Sequence, residues 1–113
     1  MSLLAELNTL ADKLGIPVET GVFTGTAPDE YLILTPLVDS FALHADNRPQ
    51  YDVQEVRISL YAKGSYVDRL NQIVHALLAV ECTITDRRYI GHEDDSGYFH
   101  YAIDVAKSYE LEV

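Results

Sequence analysis

The sequence predicts an α+β domain in which a mostly antiparallel sheet of about five strands carries two helices packed on one face. Three observations lead to this prediction. Two segments repeat apolar residues every three or four positions, as amphipathic helices do, and several others alternate apolar and polar residues, as strands do. The segments follow the order α-β-β-β-α-β-β, and the 113 residues suit one domain spanning 1–113.

The first helix is expected at residues 2–14. Ser2 can cap its start, Gly15 can adopt the left-handed conformation that ends it, and Pro17 prevents its continuation. Its apolar face would consist of Leu3, Leu7, Leu10, Ala11 and Leu14.

The connector GIPVETGVFTGTAPDE (15–30) is rich in Gly, Thr and Pro. It contains neither the GxxxxGK[ST] phosphate-binding pattern nor a lysine, so we interpret it as a loop with a short strand near Val22 and Phe23. Two strands are expected next: YLILTP (31–36), which stops at a proline, and LVDSFALHAD (37–46).

A long hairpin is predicted at the centre of the chain. NRPQ (47–50) is typical of a turn, and the strand that follows at 51–64 alternates cleanly. One face of this strand would consist of Val56, Ile58, Leu60 and Ala62. The opposite face would consist of Tyr51, Val53, Glu55, Arg57, Ser59 and Tyr61. Because a monomer normally presents a polar outer face, this partly apolar and aromatic surface indicates contact with another protein.

The second helix is expected within SYVDRLNQIVHALLAVE (65–81). Ser65 and Asp68 have the spacing of a capping box. The apolar stripe would consist of Val67, Leu70, Ile73, Val74, Leu77 and Leu78. His75 lies beside the centre of this stripe, so we expect it near the surface and not as a metal ligand.

Two final strands are expected at 80–90 and 98–110, joined by the acidic loop GHEDDSG (91–97). The first strand would turn Val80, Cys82 and Ile84 towards the core. The second would turn Phe99, Tyr101, Ile103 and Val105 inward and Tyr98, His100, Ala102 and Asp104 outward. Cys82 is the only cysteine, which excludes an intrachain disulfide and is compatible with a reducing cytosol. We expect it to be a buried structural thiol.

The chain is acidic throughout, with 8 basic and 18 acidic residues and a net charge of −10. Both signs divide evenly between residues 1–64 and 65–113, so the acidity does not belong to a tail. Binding to a phosphate backbone needs clustered Lys and Arg, which argues against specific binding of nucleic acid. No apolar run approaches the ~18 residues of a membrane span, and the N-terminal residues lack an export signal, so we expect a soluble chain.

The loop residues His92, Glu93, Asp94 and Asp95, with His100 nearby, have side chains that metal sites and acid–base catalysts use. Neighbouring residues of an extended loop point in diverging directions, the HExxH pattern is absent, and nothing indicates burial. A solvated loop between two strands is therefore the favoured interpretation, with no catalytic residue, metal or cofactor. A small metal-binding module or enzyme that uses this loop remains the alternative from another functional class.

Over residues 28–110, the amino-acid sequence resembles that of a family of phage proteins. The segments that carry the resemblance are YLILTPLVDSFALHADNRPQYDVQEVRISLYAKGSY (31–66), NQIVHALLA (71–79) and TITDRRYIGHEDDSGYFHYAIDVAKSYE (83–110). They are similar to the tail completion, or head-to-tail joining, proteins of phages and prophages of Gram-positive bacteria, which are related to the tail terminators of long-tailed phages.

The resemblance implies a structural virion protein without enzymatic activity or cofactor. Such proteins form rings, typically of six copies, that complete the tail tube and dock it to the head connector proteins. Double-stranded DNA passes through the ring without specific binding. The protein would belong to the tail or neck of the virion, and to the host cytoplasm during assembly. A head-side neck or minor capsid protein that binds the connector is a second structural alternative.

Candidate contact residues lie on the hairpin, on the outward face of the strand after it, and in the acidic loop. Arg48 is an isolated base in an acidic setting and can pair with a carboxylate across an interface. The full set is Asp46, Asn47, Arg48, Tyr51, Val53, Arg57, Tyr61, His92, Glu93, Asp94 and Asp95.

Overall fold

The computed structural model describes residues 2–45 and 48–111, without the side chains of residues 41–50. Its elements are α1 (Leu3–Leu14), β1 (Val18–Thr20), β2 (Glu30–Ala45), β3 (Arg48–Ala62), α2 (Val67–Ala79), β4 (Thr83–His92) and β5 (Phe99–Glu110). The strands form one sheet in the order β1-β2-β3-β5-β4. The predicted α+β class with a mostly antiparallel sheet is confirmed. The sheet is mixed, because β1 runs parallel to β2 while the other neighbours are antiparallel.

The first two predicted strands proved to be one. β2 continues through Pro36, and its register against β3 shifts between Pro36 and Val38. A proline ends a central strand but is tolerated at an edge, where its missing N–H need not donate. The prediction of a strand near Val22 and Phe23 was also wrong, because β1 lies at Val18–Thr20, where it pairs with residues 32–34.

The predicted turn NRPQ was placed too late. Ala45 pairs with Arg48, and His44 pairs with Pro49, so residues 48–50 already belong to β3. Asp46 and Asn47 lie outside the described residues.

Helix α1 forms as its sequence predicts. The Ser2 hydroxyl accepts a hydrogen bond from the backbone N–H of Ala5 at 3.1 Å. At the other end Gly15 has φ 74°. Two backbone hydrogen bonds end the helix there, one from Gly15 N to Asp12 O and one from Ile16 N to Ala11 O. A residue with a side chain is strained at this φ, so glycine suits the position.

Helix α2 differs from its prediction at both ends. It begins at Val67 after Tyr66, and no side chain caps it, so the predicted capping box of Ser65 and Asp68 does not form. Tyr66 packs its ring against the rings of Phe99 and Tyr101, with centroids 5.7 and 5.8 Å away. This packing fixes the chain immediately before the helix.

The apolar stripe of α2 is narrower than predicted. Leu70, Ile73 and Leu77 are buried, whereas Val67 and Leu78 are more than half exposed. Val80 is 39% exposed and follows the helix as its C-cap residue, outside any strand, because β4 begins only at Thr83. His75 is exposed, as expected.

The two helices cover one face of the sheet and leave the other, here called the open face, without a helix. The rungs Leu32–Leu60–Tyr101 and Leu34–Ile58–Ile103 carry the covered face across β2, β3 and β5. Residues of α1 and α2 complete this core, among them Leu3, Leu7, Leu10, Ile73 and Leu77. The alternation predicted for β3 and β5 is confirmed, and Cys82 is buried in the same core.

The β2–β3 hairpin extends well beyond the helices, and the molecule measures 55 × 26 × 24 Å. β1 pairs only with residues 32–34, so within the described residues β2 has β3 as its single neighbour from Thr35 to Ala45. The sheet therefore ends in two unlike free edges, one along β2 and one along β4.

Candidate interaction surfaces

The hairpin residues predicted to contact partners are only partly described. Asp46 and Asn47 lie outside the described residues, as does the side chain of Arg48. Tyr51 and Val53 lie on the open face of β3 and are half-buried. Whether they meet a partner stays a prediction.

Arg57 is held by its own chain. Its Nε and Nη2 donate to the two carboxylate oxygens of Asp104 on β5, at 2.8 and 3.0 Å. These hydrogen bonds raise the pKa of Arg57 above its ordinary value, so the guanidinium stays charged. Two of its donors are occupied, which leaves less of Arg57 for a partner than alternation alone predicts.

Tyr61 belongs to an aromatic cluster at one end of the open face. Its ring stacks on Tyr31 and on His100, with centroids 4.9 and 4.2 Å away. Burial raises its pKa. The cluster consists of Phe23, Tyr31, Tyr61, Tyr98 and His100.

The loop of residues 21–29 closes over this aromatic cluster. Phe23 packs on Tyr31 at 4.9 Å, and the hydroxyl of Tyr98 donates to the backbone carbonyl of Pro28 at 2.6 Å. Lys63 places its ammonium 5.0 Å from the centre of the Tyr98 ring, within cation–π range. The aromatic part of the open face is thus partly covered by the chain itself, which sequence alternation did not predict.

His100 has an unusual position within the cluster. Its Nε2 is buried and has no hydrogen-bond partner among the described residues. Burial lowers the pKa of His100, and the negative charge of Glu93 only partly opposes this shift. The imidazole is therefore kept neutral where a free histidine would begin to gain a proton.

The acidic loop is solvated, as its sequence predicts. Glu93 N donates to Tyr98 O at 2.9 Å and Gly97 N donates to Glu93 O at 2.7 Å, which closes a tight turn. Asp94 is 97% exposed, and its Oδ1 lies 3.1 Å from Nδ1 of His92. Asp95 is exposed beside it, so both acids can meet a partner.

The two histidines of the metal-site alternative lie apart. His92 pairs with Phe99 across the sheet and packs on its ring at 4.5 Å, on the side of the helices, whereas His100 lies on the open face. Within residues 2–45 and 48–111, no three His, Cys, Asp or Glu side chains are grouped to hold a metal ion. The geometry does not favour that alternative.

The free edges carry exposed apolar side chains that the sequence analysis did not select. Leu37 and Val38 on β2, and Tyr89 and Ile90 on β4, are between 44% and 49% exposed. Each pair lies next to an irregularity in register, between Pro36 and Val38 and between Tyr89 and Gly91. These strands are known to be edges only from the strand order of the sheet, which local sequence patterns do not predict. The broken alternation in RRYIG was the available signal.

A charged network ties α1 to the end of β5. Lys107 Nζ donates to Glu6 Oε1 at 2.9 Å and to the carbonyl of Val80 at 2.7 Å, and the Tyr109 hydroxyl donates to the other Glu6 oxygen. Burial alone would raise the pKa of Glu6, but the hydrogen bonds from Tyr109 and Lys107 lower it overall. Burial and the Glu6 contact raise the pKa of Tyr109. These groups are mutually satisfied, so we interpret the network as structural.

Cys82 is not suited to nucleophilic chemistry. The thiol is buried, and burial raises its pKa, so it stays protonated.

An apolar groove of about 340 Å³ lies between the two helices. It is lined by Leu10, Leu14, Ala76, Ala79 and Val80, with Glu6, Thr9 and Lys13 at its margins.

Neither helix of the described chain is long and apolar enough to cross a membrane.

Comparison of the chain with protein-family models and with curated proteins gave no match.

Proposed function

We propose that the protein is a structural component of the phage head–tail junction. Copies of the chain form a ring, with six as the expected number, which completes the tail tube and docks it to the head connector. The observation that carries the proposal is the pair of unlike free edges on opposite sides of the sheet. A subunit with two different complementary edges can associate head to tail, and such contacts form a ring when the rotation between neighbours closes. The resemblance of residues 28–110 to tail completion proteins gives the ring its place in the virion.

The charge of the chain suits a channel for DNA. With a net charge of −10, the ring surface repels the phosphate backbone and offers little basic surface to hold it. DNA can then pass through the ring without specific binding. No cofactor or catalytic group is needed for this role, which depends on the fit between surfaces.

Two exposed segments are suited to meet the tail tube and the connector. The loop of residues 21–29 and the acidic loop both lie at the end of the sheet away from the hairpin. Val22 is 73% exposed and supplies apolar surface, while Glu93, Asp94 and Asp95 supply charge. The hairpin, with Tyr51 and Val53, extends in the opposite direction and can contact neighbouring subunits or the second partner.

Native mass spectrometry with and without Zn²⁺ or Ca²⁺ separates the ring from the metal-binding alternative. We expect a hexamer whose mass and melting temperature do not change when the metal is added. A monomer that becomes more stable with either ion would contradict the ring and favour a metal module.

An amber mutation in the gene, in the phage or prophage that carries it, tests the role itself. We expect filled heads beside unjoined tails, or tails of uncontrolled length, in electron micrographs of lysates. Normal virions would refute the proposal. Tails of normal length, with the wild-type protein found on isolated heads, would assign it to the head side of the neck instead.

A further inference from the structure

We propose that the free edge of β2 pairs, in antiparallel fashion, with the free edge of β4 of a second copy of this chain, with Asp39 opposite Arg87. This inference rests on the proposed ring and names the contact that builds it. The two edges have nearly equal lengths: residues 35–45 of β2 lack an outer neighbour, and β4 spans Thr83–His92.

The strand directions suit this contact. β2 is antiparallel to β3, β3 to β5, and β5 to β4, so β2 and β4 run in opposite directions within one subunit. A rotation about an axis roughly along the strands preserves each direction. β2 of one copy therefore meets β4 of the next as an antiparallel neighbour, which is the more stable pairing.

Side-chain faces and charges select the register. Directly opposed residues share one face of a sheet, and cyclic symmetry places the helices of neighbouring copies on the same side. Asp39 pairs with Gln54, and Arg87 pairs with Ile103, so both lie on the face of the helices. A carboxylate opposite a guanidinium is a favourable cross-strand pair, and Asp39 is exposed.

The same register brings Leu37, Tyr89 and Ile90 together at the contact, while Val38 lies opposite Arg88. With Asp39 opposite Arg87, Leu37 lies opposite Tyr89, and Pro36 lies opposite Ile90. The irregularity at Pro36/Val38 then falls nearly opposite that at Tyr89/Gly91, while the second irregularity of β4, at Ile84/Asp86, faces residues 40–42 of β2. Two edge strands that bend at the same place can continue their inter-strand hydrogen bonds past the bend, whereas a straight strand beside a bent one would lose them.

The register also fits the space that β1 leaves. Residues 35–43 of β2 are paired by residues 91–83 of the neighbour, so that only His92, the last residue of β4, falls opposite a position that β1 occupies, at Leu34. Within one subunit Arg87 lies level with Ile58 and Leu34, about four rungs from Asp39. Neighbours are thus displaced along the strands by ~13 Å at the rise of a β-strand. Such a stagger is what tilted strands require when a sheet closes on itself.

The charges on β4 make the pairing selective. Asp86, Arg87 and Arg88 form a charged run on this edge, and Arg88 Nε donates to Asp86 at 2.7 Å. Charged and bulged edges resist indiscriminate strand pairing. An edge that places an acid opposite Arg87 is therefore favoured over an edge without one.

Cysteine cross-linking of mixed subunits tests the pairing. Opposed Cα atoms in an antiparallel pair are about 4.5–5.5 Å apart, within the range that a disulfide spans. We expect D39C mixed with R87C to give a cross-linked dimer under mild oxidation at high protein concentration. Neither variant alone should do so, and the parent, whose only cysteine is buried, should not. Asp12→Cys, on the exposed side of α1, mixed with R87C is the matched control.

A cross-link in D39C alone would overturn the proposal, because it would indicate twofold pairing of β2 edges. Absence of the mixed cross-link would also overturn it. Native mass spectrometry of the same samples separates the two levels. A hexamer without the cross-link would leave the proposed ring and remove this interface, whereas a monomer together with normal virions from the amber mutant would remove the proposed function as well.

Charge exchange provides a second measurement that does not depend on oxidation. D39R or R87D alone should lower the fraction of hexamer at least tenfold at a fixed concentration, and the double variant should restore it. Circular dichroism checks that each variant folds. Single variants that assemble like the parent would overturn the assigned register.

Discussion

Arg57 on β3 and Asp104 on β5 form a bidentate salt bridge, with hydrogen bonds of 2.8 and 3.0 Å between the guanidinium and the carboxylate. The Asp104 side chain is only 16% exposed, while that of Arg57 is 38% exposed. The pair lies on the open face, directly between Thr35 of β2 and Asp86 of β4. It therefore links β3 and β5, the two central strands of the sheet. The alternating pattern of β3 had predicted instead that Arg57 would be available to contact a partner.

Removal of Arg57 is expected to destabilise the fold more than removal of an exposed cation. Arg57→Met leaves the partly buried carboxylate of Asp104 without its partner, at a cost of about 1–2 kcal/mol in the free energy of unfolding. Lys13→Met is the control, because this exposed lysine forms no ion pair within the described residues and should contribute little. Urea denaturation at pH 7 measures both. Equal effects of the two variants would contradict a structural role for the Arg57 pair.

The hydroxyl of Tyr98 is expected to hold the loop of residues 21–29 against the sheet. Tyr98→Phe removes the 2.6 Å hydrogen bond to the Pro28 carbonyl and should cost about 1 kcal/mol. Amide hydrogen exchange in residues 21–29 should rise in this variant. Tyr89→Phe, on a half-exposed ring, should leave both quantities nearly unchanged. Unaltered exchange in Tyr98→Phe would show that the loop is held by its aromatic packing and by the backbone hydrogen bonds of Gly21 and Asp29, without a contribution from the hydroxyl.

Glu81 occupies a position that favours glycine. Its φ is 63°, and the bonds from Glu81 N to Leu78 O and from Cys82 N to Leu77 O end α2 as a Schellman motif. The left-handed conformation costs a residue with a side chain about 1 kcal/mol, and an acid at a helix C-terminus opposes the helix dipole. Glu81→Gly should therefore raise the free energy of unfolding by about 1 kcal/mol.

Gly15 is the matched control for this prediction, because it ends α1 with the same pair of hydrogen bonds and φ 74°. Gly15→Ala should lower the free energy of unfolding by about 1 kcal/mol. If Glu81→Gly proves destabilising instead, the Glu81 side chain makes a contribution that its backbone conformation does not reveal.

The sequence predicted what local patterns encode. Alternation in β3 and β5 assigned Ile58 and Ile103 to the core, and the capping signals at Ser2 and Gly15 placed α1 within a residue. These features depend on residues a few positions apart. The solvated acidic loop was predicted for the same reason, since its charges are contiguous.

What the sequence did not predict depends on distant residues. Tyr61 is partly covered because Tyr98 reaches Pro28, which lies 70 positions away along the chain. β2 continues past Pro36 because that part of the strand is an edge, and edges are known only when the strand order is known. The contact residues predicted from the open face therefore do not include Leu37 and Tyr89, which are exposed at the edges of the sheet.

The neutral state of His100 predicts a specific dependence of stability on pH. Its folded pKa lies below the ordinary value of 6.5, so between those two values the unfolded chain binds a proton that the folded chain does not. Stability should then fall as the pH drops below about 6.5, by at most about 1.4 kcal/mol per pH unit from this group. The groups around it are Tyr61, Glu93 and Arg57, and only Glu93 opposes the shift.

Urea denaturation from pH 8 to 5 measures this dependence. The free energy of unfolding should change less with pH in His100→Gln than in the parent, while His75→Gln, on the exposed side of α2, should follow the parent. Parallel profiles for all three proteins would mean that His100 gains its proton equally in both states.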